Sequence, residues 1–569
     1  MLPYLPSRTR NRSEHSGHPR TFSSTYTWLT RLKPRPVNLL RLFWIILIVW
    51  YEIGTFYYHA RRCKWPETTT PDLQLDGTFP STHVLLVADP QILNHRSYPG
   101  RDPFLMWITQ RLVDMYMRKS WRAVRTLKPD TIIFLGDMMD GGRFAMSDEE
   151  YEAYYTRFRN IFADPDNTPT YYIPGNHDIG LGDPHRFSPV AYERYRSHFG
   201  PLNQVVEIGN HSFVMINAPG LVDEDYARES KGVSFARWAA SMPGGPIEFI
   251  STVGGRQPDV PKILLTHIPL ARPDGTDCGP LREKGTIRQG TGFGYQNTLS
   301  DEASDFVLQT IRPSVIFSGD DHDYCEYWHE MDIPGMQEQS VKEISVKSFS
   351  MAMGIKVPGF QLLSLFPPST TTAASENGVE PGTGFGETFR DVPCFLPSQL
   401  GIWLHVYVPC CILSLFVLFV SNFLRTAWRA TTPTTLDESI PLHKTTDSTE
   451  ESSDGEEDAL WMASLPTPAS SVQRTFPRHP PSRTSCCSKS WSFVLCGKRR
   501  RMTFDVSSCL FPILAVFFEV GSEGRSRSDS VHYPVRRRMG VVRGFLTDVL
   551  KTAWPVLLLF ALIVWYWSG

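Results

Sequence analysis

Five short polar segments each follow an apolar run, and together they offer the oxygen and imidazole donors that hold metal ions. They are Asp89-Pro90-Gln91, Gly136-Asp137, Gly175-Asn176-His177-Asp178, His267 and Gly319-Asp320-Asp321-His322. The runs before them (84–88, 131–135, 171–174, 263–266 and 315–318) are short and apolar, as buried strands are. Buried strands that empty into polar turns gather ligands from distant parts of a chain at one edge of a sheet. Such donors suit the splitting of a phosphate ester, which needs a strong nucleophile and neutralisation of charge. Two cations about 3.5–4 Å apart deliver both. Asp137 can bridge two ions with its two oxygens, Asp89 can complete one, and Asn176 and His267 the other. His177 is placed to protonate the leaving oxygen, with Asp178 or another carboxylate orienting its ring.

The order of these segments resembles the calcineurin-like metallophosphoesterase superfamily, whose pattern reads D-x-H, GD-x-x-D, GNH-[DE], H, then GH-x-H. The resemblance covers residues 80–356, and GNHD with GD-x-x-D (Asp137 to Asp140) is its most specific part. Two positions depart from the pattern. Gln91 stands where the first motif has its histidine, and Asp320 where the last has its first. Matching Gly319 and His322 to the pattern selects Asp320 over Asp321. The resemblance implies an α/β fold, a four-layer α/β/β/α sandwich of two mixed sheets with helices outside. It also implies a site for two divalent ions built from Asp89, Gln91, Asp137, Asn176, His267, Asp320 and His322. Oxygen in place of imidazole hardens the donor set, which favours Mn²⁺ or Mg²⁺ over Zn²⁺.

Three variant motifs narrow the resemblance: Ala88-Asp-Pro-Gln-Ile92, Ser318 to Cys325, and Val346 to Gly354. They are similar to a branch holding fungal cell-division-control proteins and animal enzymes that remodel GPI anchors after attachment. The branch implies a membrane-anchored manganese phosphodiesterase of the endoplasmic reticulum or Golgi. Its substrate would be a GPI-anchored protein or GPI glycolipid, from which it removes ethanolamine phosphate on mannose. Two readings stay open beside it. One is a lumenal phosphomonoesterase or protein phosphatase. The other is a non-catalytic metal-binding sorting protein, for which Gln91 and Asp320 speak.

With 569 residues the chain has room for one large domain and extensions, and a formal charge of −2 gives no sign of nucleic-acid binding. Residues 39–58 are apolar except at Arg41, Glu52 and Gly54, as a membrane span requires. A basic tail, residues 1–38, precedes them and predicts an uncleaved signal anchor with a cytosolic N-terminus. A second span covers 401–424 and a third 552–567, the latter rich in interfacial tryptophan. Residues 504–520 are apolar and ambiguous between a further span and an interfacial or loosely buried helix, the arginine-rich loop after them speaking against translocation. This topology puts residues 80–356 in the lumen, with Asn210-His211-Ser212 as a glycosylation acceptor and an oxidising milieu for Cys63, Cys278, Cys325 and Cys394. Their pairing is not legible from spacing. Residues 360–398 read as a flexible linker and 425–502 as a disordered cytosolic region. The glycine-rich stretch Gly290–Asn297 lacks a nucleotide-loop pattern and reads as rim. Asp321, Asp323 and Glu326 are candidates for meeting an ethanolamine group.

Overall fold

The computed structural model describes residues 36–67, 81–182, 186–255, 260–331, 339–367, 388–431, 488–495, 498–505 and 540–568. In chain order its strands are β1 (Thr82–Val87), β2 (Thr131–Phe134), β3 (Thr170–Tyr172), β4 (Gln204–Ile208), β5 (His211–Met215), β6 (Lys262–Thr266), β7 (Thr291–Gly292), β8 (Tyr295–Gln296), β9 (Val315–Ser318), β10 (Cys325–Met331), β11 (Gln339–Ser345), β12 (Gly359–Leu365), β13 (Phe389–Phe395), β14 (Ser488–Leu495) and β15 (Lys498–Asp505). The helices are α1 (Pro36–Val49), α2 (Thr55–Arg62), α3 (Pro103–Val124), α4 (Asp148–Ile161), α5 (Asn176–Ile179), α6 (Ala191–His198), α7 (Ala218–Ser230), α8 (Phe235–Ser241), α9 (Pro246–Gly254), α10 (Asp301–Ile311), α11 (Gln399–Ile402), α12 (Val408–Thr431) and α13 (Val541–Ser568).

One sheet runs β13-β12-β1-β2-β3 and the other β10-β11-β9-β6-β5-β4. The pleat of β1 shows how they stack, since successive side chains face opposite ways. Val84 and Leu86 join Ile133, Phe213, Leu265 and Phe317 between the sheets. Leu85 and Val87 face Met117, Trp121 and Phe158 of α3 and α4. On the far side, Val214, Leu264 and Ile316 bury against Leu221, Ile250 and Val307 of α7, α9 and α10. The result is the four-layer α/β/β/α sandwich. Strands β1, β2, β6 and β9 are fully or almost fully buried, which is why they read as unbroken apolar runs rather than alternating ones.

The linker expected at 360–398 is corrected at both ends. β12 pairs antiparallel with β1 and is buried along its whole length, and β13 closes the sheet beside it. The sequence Phe360-Gln-Leu-Leu-Ser-Leu365 is another fully buried strand. Pro393 is tolerated because β13 is an edge, where a missing N–H costs no ladder bond. Cys394 of this edge is disulfide-bonded to Cys63, just past α2. The interior of the expected linker, 368–387, lies outside the described residues.

Three helical stretches are long and apolar enough to cross a membrane: Pro36–Arg62, Gln399–Trp428 and Val541–Trp567. The first two each contain a π-helical turn, Trp50–Gly54 and Trp403–Tyr407. Glu52 in the first is fully buried. It takes Lys119 of α3 at 2.6 Å, the Tyr407 hydroxyl at 2.9 Å and the Gln399 amide at 3.2 Å. Residues 422–541 form a separate unit. Within it, β14 and β15 make an antiparallel hairpin and α12 runs on to Thr431, so the expected disordered stretch 425–502 carries structure at both ends. The tail 1–35, the ambiguous apolar segment beyond Asp505 and the remainder of 425–502 lie outside the described residues.

Candidate metal centre

The expected donors converge at the ends of β1, β2, β6 and β9. Asp89, Asp137 and His322 bring one donor atom each into a common space, and Asp137, His267 and Asp320 form a second such set. All atoms in each set lie within 4.8 Å of one another, and Asp137 belongs to both. That sharing is what a bridging carboxylate requires. Asp89 and Asp137 are fully buried, and Oδ2 of Asp89 has no hydrogen-bond partner. A buried carboxylate oxygen left without a donor costs free energy unless a cation meets it.

His267 shows the same demand. Its Nδ1 donates to the Leu135 carbonyl at 2.7 Å, which fixes the tautomer and aims Nε2 into the centre. There Nε2 faces Oδ1 of Asn176 at 3.1 Å, of Asp137 at 3.3 Å and of Asp320 at 3.5 Å. Burial opposes charge on this ring, yet Asp137, Asp320 and Asp89 outweigh it and hold its pKa well above the ordinary value. A crowd of acceptors that draws a proton onto a buried imidazole fits a divalent ion, whose binding releases that proton. Asn176 is oriented from behind, its Nδ2 donating to the Gly294 carbonyl at 2.7 Å, so the glycine-rich rim sets a ligand's direction. His322 is pushed down to about 4 by burial of its ring, so it is neutral and free to ligate near pH 7.

The backbone is strained where the donors sit. Among the described residues, five of the nine non-glycine residues at positive φ are Asp89, Gln91, Asp137, Asp320 and His322. Each left-handed residue costs roughly 1–2 kcal/mol, and strain of this kind collects at functional sites. The motif glycines answer the same crowding. A Cβ on Gly175 would lie 2.0 Å from Asp137 Oδ1, and one on Gly136 2.3 Å from His267 Nδ1.

Two expected roles change. Gln91 reaches the centre by its amide nitrogen, which donates to Asp137 Oδ2 at 2.6 Å and lies 3.4 Å from His322 Nε2. In this orientation it steadies Asp137 instead of offering an oxygen. Asp178 does not orient His177. It is buried and accepts from the amides of Gly175 and Met139, both at 3.0 Å, tying the second and third motifs together. Burial, with the Asp137 charge, pushes its pKa up to about 7. Asp140 takes the orienting position: His177 Nδ1 donates to its carbonyl at 2.8 Å and lies 3.3 Å from its carboxylate. The final aspartate of GD-x-x-D carried that signal in the sequence.

Other groups near the centre were less legible. Ser348 donates to the Asp89 carbonyl at 2.8 Å. Glu343 joins two ligand loops through Leu270 N at 3.2 Å and the Ser318 hydroxyl at 2.7 Å. Asp321 and Asp323 are ion-paired with Arg282 and Lys347, and Oε2 of Glu326 accepts from the Tyr324 hydroxyl at 3.0 Å. Asp323 also receives the amides of Glu283 and Lys284, and Cys278–Cys325 pins the same loop.

Comparison with known proteins agrees with this geometry. The calcineurin-like phosphoesterase family pattern matches residues 82–324. Cell division control protein 1 of Saccharomyces cerevisiae is 35% identical over 372 residues, covering 65% of this chain and 71% of that protein. Metallophosphoesterase 1 of Ailuropoda melanoleuca is 27% identical over 338 residues, covering 56% and 78%. The Xenopus laevis protein of the same name is 28% identical over 348 residues, covering 56% and 79%. With paired donor sets meeting at Asp137 inside the matched region, the chain belongs to the calcineurin-like phosphoesterase family and is a hydrolase of phosphoric esters.

Proposed function

We propose that this chain is a membrane-bound phosphodiesterase of the early secretory pathway that removes ethanolamine phosphate from a mannose of GPI anchors, with manganese as its metal. The observation that carries the hydrolytic part is the pair of donor sets sharing Asp137 beside the His177–Asp140 pair. The substrate rests on the likeness of the variant motifs to the GPI-remodelling branch. The oxygen-rich donors Asp89, Asp137, Asn176 and Asp320 favour Mn²⁺ over Zn²⁺.

Two divalent ions, when bound, supply the activated nucleophile and neutralise charge on the phosphoryl group. Asp89 and His322 would hold one, Asn176, His267 and Asp320 the other, and Asp137 both. His177 acts from the side. Its backbone N–H donates to Asp137 Oδ1 at 2.9 Å, anchoring it beside the bridging carboxylate. With Nδ1–H committed to Asp140, Nε2 is the atom that hands a proton to the leaving sugar oxygen. The Arg143 guanidinium, buried against the carbonyls of Asn176 and Gly294, fixes the third motif to the rim.

A lumenal catalytic domain is supported by its relation to the membrane helices. The end of α2 is tied to β13 by Cys63–Cys394, Gln399 joins Lys119, and Trp567 at the end of α13 accepts from Arg118. These three helix ends therefore meet the same domain, and a basic N-terminal tail favours the cytosol for the opposite side. Two disulfides in the domain suit an oxidising compartment. Asn210 is exposed in the β4–β5 turn, open to glycosylation there. Mass spectrometry of GPI glycans from cells lacking this chain tests the proposal. Retained ethanolamine phosphate on one mannose is the expected result, and unchanged glycans overturn the substrate assignment.

A further inference from the structure

Helix α3 is apolar on two opposite sides. On one, Met106, Val113 and Met117 belong to the core under the first sheet. On the other, the helical repeat aligns Phe104, Ile108, Leu112 and Met115 in a stripe, with Leu105 and Trp107 at its margins. The two ends of that stripe meet different surroundings. Leu112 and Met115 pack with Ile48 of α1 and with Val556, Ile563 and Trp567 of α13. Two turns toward the helix start, Phe104, Leu105 and Trp107 are 65%, 54% and 52% exposed. A helix on a globular surface keeps its outer face polar, and large apolar patches mark a contact.

The occupant follows from continuity. The covered half of the stripe already lies against two of the three membrane-crossing helices, so the uncovered half extends sideways from them. Its composition suits the boundary between acyl chains and headgroups. Phe104 and Trp107 stack at 6.2 Å, and the Arg111 guanidinium lies 5.7 Å from the Trp107 ring, an arginine beside an interfacial aromatic. The helix start is polar, with Asp102 capping the amides of Phe104 and Leu105, and Arg101 over Tyr98. We infer that the N-terminal half of α3 lies in the bilayer interface, with Phe104, Leu105 and Trp107 buried among lipid chains.

The consequence reaches the metal centre. α3 follows directly on the segment carrying Asp89 and Gln91. Tyr98, just before α3, donates its hydroxyl to the Ala352 carbonyl, and Ser348 of that same loop donates to Asp89. A helix held in the interface thus holds the donor loops at the membrane surface, where a lipid-linked phosphodiester arrives. This consequence rests on the phosphodiesterase reading; the lipid contact itself does not.

The test uses the full chain in phosphatidylcholine vesicles with the photoreactive residue benzoylphenylalanine at position 104 or 107. Irradiation should give adducts of phospholipid mass at both positions and none at Trp328, an exposed residue of the sheet-edge strand β10. Adducts to a second protein chain, or no lipid adduct, overturn the inference. The combined substitution Phe104→Ser, Leu105→Ser and Trp107→Ser provides a second readout. It should leave hydrolysis of a soluble nitrophenyl phosphodiester unchanged and lower hydrolysis of a vesicle-embedded phosphodiester lipid severalfold. Equal rates on the embedded lipid for variant and parent count against the inference. Failure of both proteins on both substrates would instead count against the phosphodiesterase reading, while the lipid adducts would still report on the contact.

Discussion

His177 Nδ1 lies 2.8 Å from the carbonyl oxygen of Asp140 and 3.3 Å from its carboxylate, so one residue supplies both the acceptor that fixes the tautomer and a carboxylate beside the ring. His177→Ala should lower turnover by roughly 10²–10⁴ while leaving metal content intact, the range usual for acid–base catalysis. Asp140→Asn should give a smaller loss, because the backbone carbonyl of residue 140 still accepts from Nδ1. Both losses should shrink on nitrophenyl esters, whose leaving group needs little protonation. Loss of metal together with activity in His177→Ala would make His177 a ligand.

Asp137 belongs to both donor sets, so its removal should be felt twice. Asp137→Asn is expected to abolish hydrolysis and to reduce bound metal at both positions in elemental analysis of the purified protein. Asp89→Asn should affect one position only. Near-normal rates in Asp137→Asn would falsify the two-ion arrangement.

Gln91 donates to Asp137 at 2.6 Å and stands within 3.4 Å of His322. Gln91→His places an imidazole there and should shift metal preference toward Zn²⁺, read as the ratio of activities and of bound metals under competition. Gln91→Ala should retain both ions with weaker affinity, since it removes a donor to the bridging carboxylate. An unchanged metal profile in both variants means that Gln91 has no part in metal choice.

Glu52 and Lys119 form a buried pair that Gln399 and Tyr407 complete. Removing one partner strands the other without compensation, a loss on the order of 3–5 kcal/mol. Lys119→Met should therefore sharply lower the thermal unfolding midpoint of the full chain in nanodiscs. Adding Glu52→Leu should recover much of it, because a well-packed apolar pair replaces a buried ionic one at little cost. If the double variant is no more stable than Lys119→Met alone, the pair has a role beyond mutual compensation.

Much of the sandwich was legible because its central strands are buried on both faces, and double burial leaves an unbroken apolar run such as Ile263-Leu-Leu-Thr266 that ends at a polar donor. β12 and β13 were not legible. They follow the recognised motifs, and their place in the sheet depends on pairing with β1, far back in sequence. Asp178 was misassigned for a related reason. Adjacency to His177 suggests an orienting carboxylate, but the short helix α5 turns it toward the amides of Met138 and Met139, and the turn after β2 brings Asp140 to the ring instead.

The sequence by itself determined the donor types, their order and the three apolar spans, because metal chemistry and membrane thickness constrain residue type and length locally. Only the tertiary structure decided which donors share a space, that Gln91 faces Asp137 with its nitrogen, that Cys63 meets Cys394 and Cys278 meets Cys325, and that α3 lies against the membrane helices. Those are distances between segments remote in sequence. They are set by how two sheets and their helices close-pack, and packing is a property of the whole fold.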